Sequence, residues 1–207
     1  MLWKEKETWE SFRKAYDLVK RIRVKSRTGW RTQFIQAAYA ECWVAWKLAK
    51  AGYDVRFHEP GCDVSVILYN SQEKSKIVRF EVKHSEDNKD KDRDGHGYSS
   101  WVISKAQVDR RKFDFCVLIR DSLMCERPDA IYLFSREEIA STEPVGVNPP
   151  KRDYYLWFSD YFYDIILKHD WMRMATSPLV ESLRDNPKKY EKRWNEILEG
   201  KLQDLKL

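Results

Sequence analysis

Asp63, Glu81 and Lys83 are the residues of this 207-residue chain whose types and spacing suit joint chemistry. Asp63 opens an apolar run directly after Pro60-Gly61-Cys62, while Glu81 and Lys83 stand two apart within Val78 to His84. Side chains two apart on a strand project to one face. If the two runs pair as a hairpin, Asp63 and Glu81 converge at one end of it. Carboxylates that close repel, and one stays protonated unless a divalent cation sits between them. Lys83 adds a positive charge that a phosphate oxygen or an attacking water can use. Each residue also has a plain structural reading. Asp63 can serve as a turn residue bonding local backbone, and Glu81 with Lys83 as an exposed charged face.

The rest of the chain must supply the elements that hold these groups. Residues 32–51 are predicted to form a helix, with Phe34, Ala38, Glu41, Ala45 and Leu48 on one face and Gly52 as its stop. That face carries Glu41, a carboxylate that is costly to bury alone. Period-two patterning predicts strands at 53–57, 63–69 and 77–84, with a polar hairpin loop at 71–76. Glu86 to Asp94 holds five acids and three bases and reads as a surface loop. Ser104 to Lys112 reads as a short helix bearing Gln107. Phe113 to Ile119 and residues 130–135 read as strands, and Arg136 to Ala140 as a helical turn. Glu143 to Lys151 is expected to be a loop or linker, followed by an aromatic stretch from Asp153 to Met174. Pro178 to Leu207 reads as helical, with Pro187 opening a final helix. The order implies an α/β (α+β) core with a mixed sheet.

With Asp63 in PGCDVSV and Glu81-Val82-Lys83 in RFEVKH, the sequence resembles the PD-(D/E)xK, or restriction-endonuclease-like, nuclease superfamily. Glu41 on the helix before the sheet and Gln107 in SKAQVDRRKFDFCVLI also fit that pattern, and the resemblance covers roughly residues 32–135. One departure stands out: the family's Pro usually abuts its Asp, whereas Pro60 lies three residues before Asp63. The resemblance implies a restriction-endonuclease-like core and a metal-dependent DNA endonuclease. Its Mg²⁺, replaceable by Mn²⁺, would sit on Asp63, Glu81 and the Val82 backbone carbonyl, with Glu41 reaching it directly or through water. Lys83 would act on the attacking water, and Gln107 would join the site. Size and compactness are nearest to archaeal Holliday-junction resolvases and related viral nucleases. A type II restriction-like enzyme, or a DNA-binding or assembly protein that keeps the fold without catalysis, stays open as an alternative.

Charge points to the same partner. The chain carries 38 Lys+Arg against 33 Asp+Glu. Residues 1–31 hold ten of the bases and four of the acids, and Lys20 to Arg31 contains six bases and no acid. Arg21, Arg23, Lys25, Arg27 and Arg31 are therefore expected to grip DNA phosphates, as are Lys105, Arg110 and Arg111, with Lys112 beside them. The same segment also reads as a charged helix end. Three regions are expected: a basic helical extension (1–31), the nuclease core (32–140), and an aromatic and helical extension (141–207) packed on the same domain. Tyr154 to Trp171 is a candidate homodimer surface, or else completes the core. Seven Gly and seven Pro exclude a collagenous chain, and nine Trp, eleven Tyr and nine Phe argue against wholesale disorder. The charged start MLWKEKETWE and the lack of any long apolar run predict an intracellular protein, neither secreted nor in a membrane. Cys42, Cys62, Cys116 and Cys125 form no C-x-x-C pair and are expected to be reduced.

Overall fold

The computed structural model describes residues 30–57, 62–69, 75–85, 88–89, 97–120, 128, 130–148, 151–159 and 176–202. In chain order the elements are α1 (Trp30–Lys50), β1 (Asp54–Phe57), β2 (Val64–Tyr69), β3 (Ser75–Ser85), β4 (Asn88–Lys89), β5 (Gly97–Ile103) and α2 (Lys105–Asp109). Then follow β6 (Phe115–Arg120), β7 (Ala130–Ser135), α3 (Arg136–Ala140), β8 (Val145–Asn148), β9 (Lys151–Phe158), α4 (Pro178–Asp185) and α5 (Pro187–Leu198).

Five strands form a mixed sheet in the order β1-β2-β3-β6-β7, in which only β3 and β6 run parallel. Alternation along its strands creates two apolar faces. Val64, Val66, Val78, Phe80, Val82, Phe115, Val117 and Ile119 meet Trp43, Val44 and Leu48 of α1 and Trp194 and Ile197 of α5. Cys116, Leu118, Tyr132 and Phe134 point the other way, into a second cluster with Trp101, Ile103, Trp157 and Leu183. Each fully buried Val, Leu or Phe contributes about 1.5–3 kcal/mol, so both faces are strongly committed. The mixed sheet flanked by helices is the architecture that the order of elements predicts.

The second cluster includes an element the patterning missed. Strands β4, β5, β9 and β8 make a four-stranded antiparallel sheet in that order. The Trp101 indole N–H donates to the Ile119 carbonyl at 3.2 Å, and the Ser100 N–H donates to Ser85 Oγ at 2.9 Å. These bonds tie the second sheet to the first. The loop expected at Glu143 to Lys151 is thus corrected, because β8 lies within it and β9 begins at its end. Tyr154 to Phe158 are all buried in the core, so that part of the proposed dimer surface is interior; residues 160–171 lie outside the described residues.

Local chemistry sets the element ends. Ser135 and Glu138 form a capping box at the start of α3, and Pro178 and Pro187 open α4 and α5. Arg193 donates to both Glu138 oxygens at 2.8 and 2.7 Å, which clamps α5 onto α3. Tyr53 Oη donates to the Ile197 carbonyl at 2.8 Å and accepts from the Leu202 N–H at 3.3 Å, joining the end of α5 to the corner before β1. Among the described residues, no helix is long and apolar enough to cross a membrane.

Candidate functional site

Asp63 precedes β2, whose first residue, Val64, pairs with Phe80 of β3. The Asp63 N–H donates to the Phe80 carbonyl at 3.1 Å, and its Oδ2 accepts from the Val82 N–H at 2.8 Å. The carboxylate therefore carries the ladder past the end of β2. In an extended strand a residue's N–H and C=O face the same edge, so the Val82 carbonyl is turned toward Asp63 as well.

Alternation in β3 sends Val78, Phe80 and Val82 into the α1 face, and Glu81 and Lys83 to the opposite one. Glu81 is only 2% exposed. Its Oε1 accepts from Lys83 Nζ at 2.5 Å and from Gln107 Nε2 at 2.8 Å. Its Oε2 is buried and has no hydrogen-bond partner among the described residues. A half-satisfied buried carboxylate is costly, and it marks a place where another group belongs.

Gln107 reaches Glu81 from α2, a helix of five residues. So short a helix has little stability of its own. Ser104 at its N-cap makes no side-chain cap bond, and Asp153 Oδ1 from β9 instead accepts from the Lys105 N–H at 3.0 Å. Val108 is buried in the second cluster. The second sheet thus holds the helix that holds Glu81. Asp153 carries no local signal for this role, since it lies 48 residues from Lys105.

The electrostatics are coupled. Burial first, and then the charges of Asp63 and Glu81, raise Glu41 to about 7, with Lys83 opposing. Glu41 on α1 is therefore electrostatically part of the same cluster. Burial alone would lower Lys83, but the adjacent Glu81 carboxylate outweighs it and raises Lys83 above its ordinary value. Lys83 is accordingly protonated throughout the neutral range.

A cleft of about 330 Å³ opens over these groups, lined by Cys62, Asp63, Glu81, Ala106, Gln107, Arg110 and Lys112. Among the described residues, no three His, Cys, Asp or Glu side chains form a ready-made metal cage. Magnesium does not need one. It is ordinarily held by one or two carboxylates and keeps several waters. The oxygen donors of Asp63 and Glu81, with the orphaned Glu81 Oε2, fit such an ion.

Of the expected DNA contacts, Arg110 lines the cleft, while Lys105 is paired with Asp109 and Arg111 is exposed. Arg21, Arg23, Lys25 and Arg27 lie outside the described residues, as does the Arg31 side chain. Patterning overlooked Cys62 as a wall of the cleft, although it immediately precedes Asp63. Cys62 and Cys116 are buried, and Cys42 is half-buried.

No family model and no curated protein matches the chain. Among solved structures, it is similar to that of a bacterial homing endonuclease, I-Ssp6803I, with 14% identity and a TM-score of 0.43 over 85% of this chain and 99% of that one.

Proposed function

We propose that the chain is a metal-dependent DNA endonuclease of the PD-(D/E)xK type, hydrolysing phosphodiester bonds. The observation that carries this reading is the buried, unpartnered Oε2 of Glu81 in a cleft shared with Asp63. Asp63, Glu81 and the Val82 carbonyl would hold Mg²⁺ or Mn²⁺, with Glu41 reaching it directly or through water. When bound, the ion supplies a Lewis acid against phosphoryl oxygens and lowers the pKa of water.

The chain's own residues do the positioning. Lys83 and Gln107 share Glu81 Oε1, so Oε2 is the oxygen that would be left for the ion. Lys83 would supply positive charge beside the phosphate in the transition state and position the attacking water. Asp63 is oriented by the Val82 N–H.

Selectivity for branched DNA over a fixed sequence is the finer part of the proposal. It is supported by the described helices, each of which packs on a strand or another helix and none of which stands apart as a reading module. Paired cuts would require two active sites, which a homodimer supplies.

Cleavage of duplex, single-stranded, flap and four-way DNA, with and without Mg²⁺, tests the reading alongside Asp63→Asn and Glu81→Gln. The expected result is Mg²⁺-dependent cutting, fastest on the branched forms, that both substitutions abolish. Full activity in either folded variant would remove the metal assignment.

A further inference from the structure

The cleft is lined by two acids and two bases that do not pair with one another. Among the described residues, Arg110 and Lys112 make no side-chain hydrogen bond or ion pair. Several other cations are in use: Lys83 on Glu81, Lys105 on Asp109, Arg136 on Glu137 and Arg193 on Glu138, and Arg111 does not line the cleft. Two unpaired cations facing the same space as two carboxylates are complementary to an anion that arrives with a divalent cation.

The backbone is bent to produce this arrangement. At the end of α2 the Arg111 N–H donates to the Val108 carbonyl at 3.1 Å and the Lys112 N–H to the Gln107 carbonyl at 3.0 Å. This closing pattern requires a left-handed residue, and Arg111 supplies it with φ of 51°. A side chain there costs about 1 kcal/mol that glycine would avoid. The bend brings residues 110 and 112 to the cleft and leaves 111 off it. Strain of this kind gathers where surrounding structure dictates a geometry.

We propose that Arg110 and Lys112 form a phosphate grip, taking the nonbridging oxygens of one DNA phosphodiester beside Asp63 and Glu81. Lys105 and Arg111 lie outside the grip. A cleft of about 330 Å³ is at the small end of ligand pockets. It has room for one phosphodiester link, and a duplex placing a link there would lie across its mouth. The identity of the ligand rests on the nuclease reading.

The test is salt-dependent anisotropy of a labelled DNA duplex in Ca²⁺ with the full chain. It compares wild type, Arg110→Gln/Lys112→Gln, and Lys76→Gln/Lys188→Gln, which loses the same charge at exposed positions not lining the cleft. The cleft pair should weaken binding about tenfold or more and flatten the log–log salt slope by about 0.9 units, the value for one lost phosphate contact. The distant pair should show less than half of either change. Arg110→Lys/Lys112→Arg, which keeps both charges, should restore the slope. A cleft-pair slope equal to that of wild type or of the distant pair would overturn the grip. Cleavage in Mg²⁺, run in parallel, separates the two proposals. A wild type that never cuts, with the cleft-pair slope still flattened, refutes the reaction and upholds the grip. A cutting enzyme with an unchanged cleft-pair slope does the reverse.

Discussion

Gln107 donates to Glu81 Oε1 at 2.8 Å across 26 residues of sequence, and Lys83 shares the same oxygen. Two donors on one oxygen pin the carboxylate and leave its other oxygen without a partner among the described residues. Gln107→Ala should therefore slow single-turnover cleavage about 10–100-fold, since a hydrogen bond to a charged group contributes about 1.5–3 kcal/mol. DNA affinity by anisotropy should change less than about twofold. A wild-type rate in this variant would show that the bond does not orient Glu81 for catalysis.

Lys83 is expected to affect rate and stability together. Lys83→Ala removes the cation bonded to the buried Glu81 carboxylate and should destabilise the fold by about 3 kcal/mol. It should also lower the chemical rate much more than DNA affinity, because the charge matters most in the transition state. Lys83→Arg keeps the charge and should recover most of the stability, though less of the rate, because its planar fork differs in reach. Urea melts and single-turnover rates on the three proteins check this.

The titration of Glu41 has a definite sign. Its native value of about 7 lies above the ordinary 4.5, with burial first and the charges of Asp63 and Glu81 next among the causes. Between those two values the folded state holds the proton more often than the unfolded chain does. Stability in a metal chelator should therefore fall as pH rises from about 4.5 to about 7 and stay low above that. Glu41→Gln should remove the slope, matching wild type near pH 4 and melting at a higher temperature at pH 8. Mg²⁺ should raise the wild-type melting temperature more at pH 8 than at pH 6, because a cation favours the ionised acids. Parallel pH profiles for the two proteins would sink the assignment.

Asp153 should behave as a positioning residue. Asp153→Ala frees the Lys105 N–H and loosens α2, so kcat should fall about as far as in Gln107→Ala, with KM little changed. The double variant should be no slower than the worse single one, since both act through Glu81. Asp153→Asn keeps an acceptor oxygen and should restore most of kcat. Additive losses would place Asp153 on a separate route.

The sheet that carries Glu81 was open to pattern reading because its strands alternate. Val78, Phe80 and Val82 interleave with Arg79, Glu81 and Lys83, and the register follows from that period. The observed β7 and α3 coincide with the predicted 130–135 and 136–140. Strand β9 was hidden because Tyr154 to Phe158 are buried on both faces and show no alternation. Its partner β5 lies more than fifty residues earlier, with Ser99 opposite Phe158. Helix α2 was overextended to Lys112 because its end falls at Arg111 in a conformation normally signalled by glycine. The pairing of Asp63 with Glu81 followed from the hairpin. The bonds from Asp63 to Val82 and from Gln107 to Glu81 depend on three-dimensional placement and have no periodic signature.

The Tyr53 hydroxyl is bonded to Ile197 and Leu202, residues synthesised 144 and 149 positions later. The chain leaves the ribosome N-terminus first, so α1 and the β2–β3 hairpin emerge long before α5 can cover them. Apolar Trp43 and Phe80 then wait for Trp194 and Ile197, their companions in one cluster. Contacts this distant in sequence form late and slowly. Asp153 likewise arrives well after the helix it caps. A growing chain would thus carry Asp63 and Glu81 early yet lack their final alignment until Asp153 is in place. Limited proteolysis of released chains ending before and after residue 202 should show protection of the α1 region only in the longer ones.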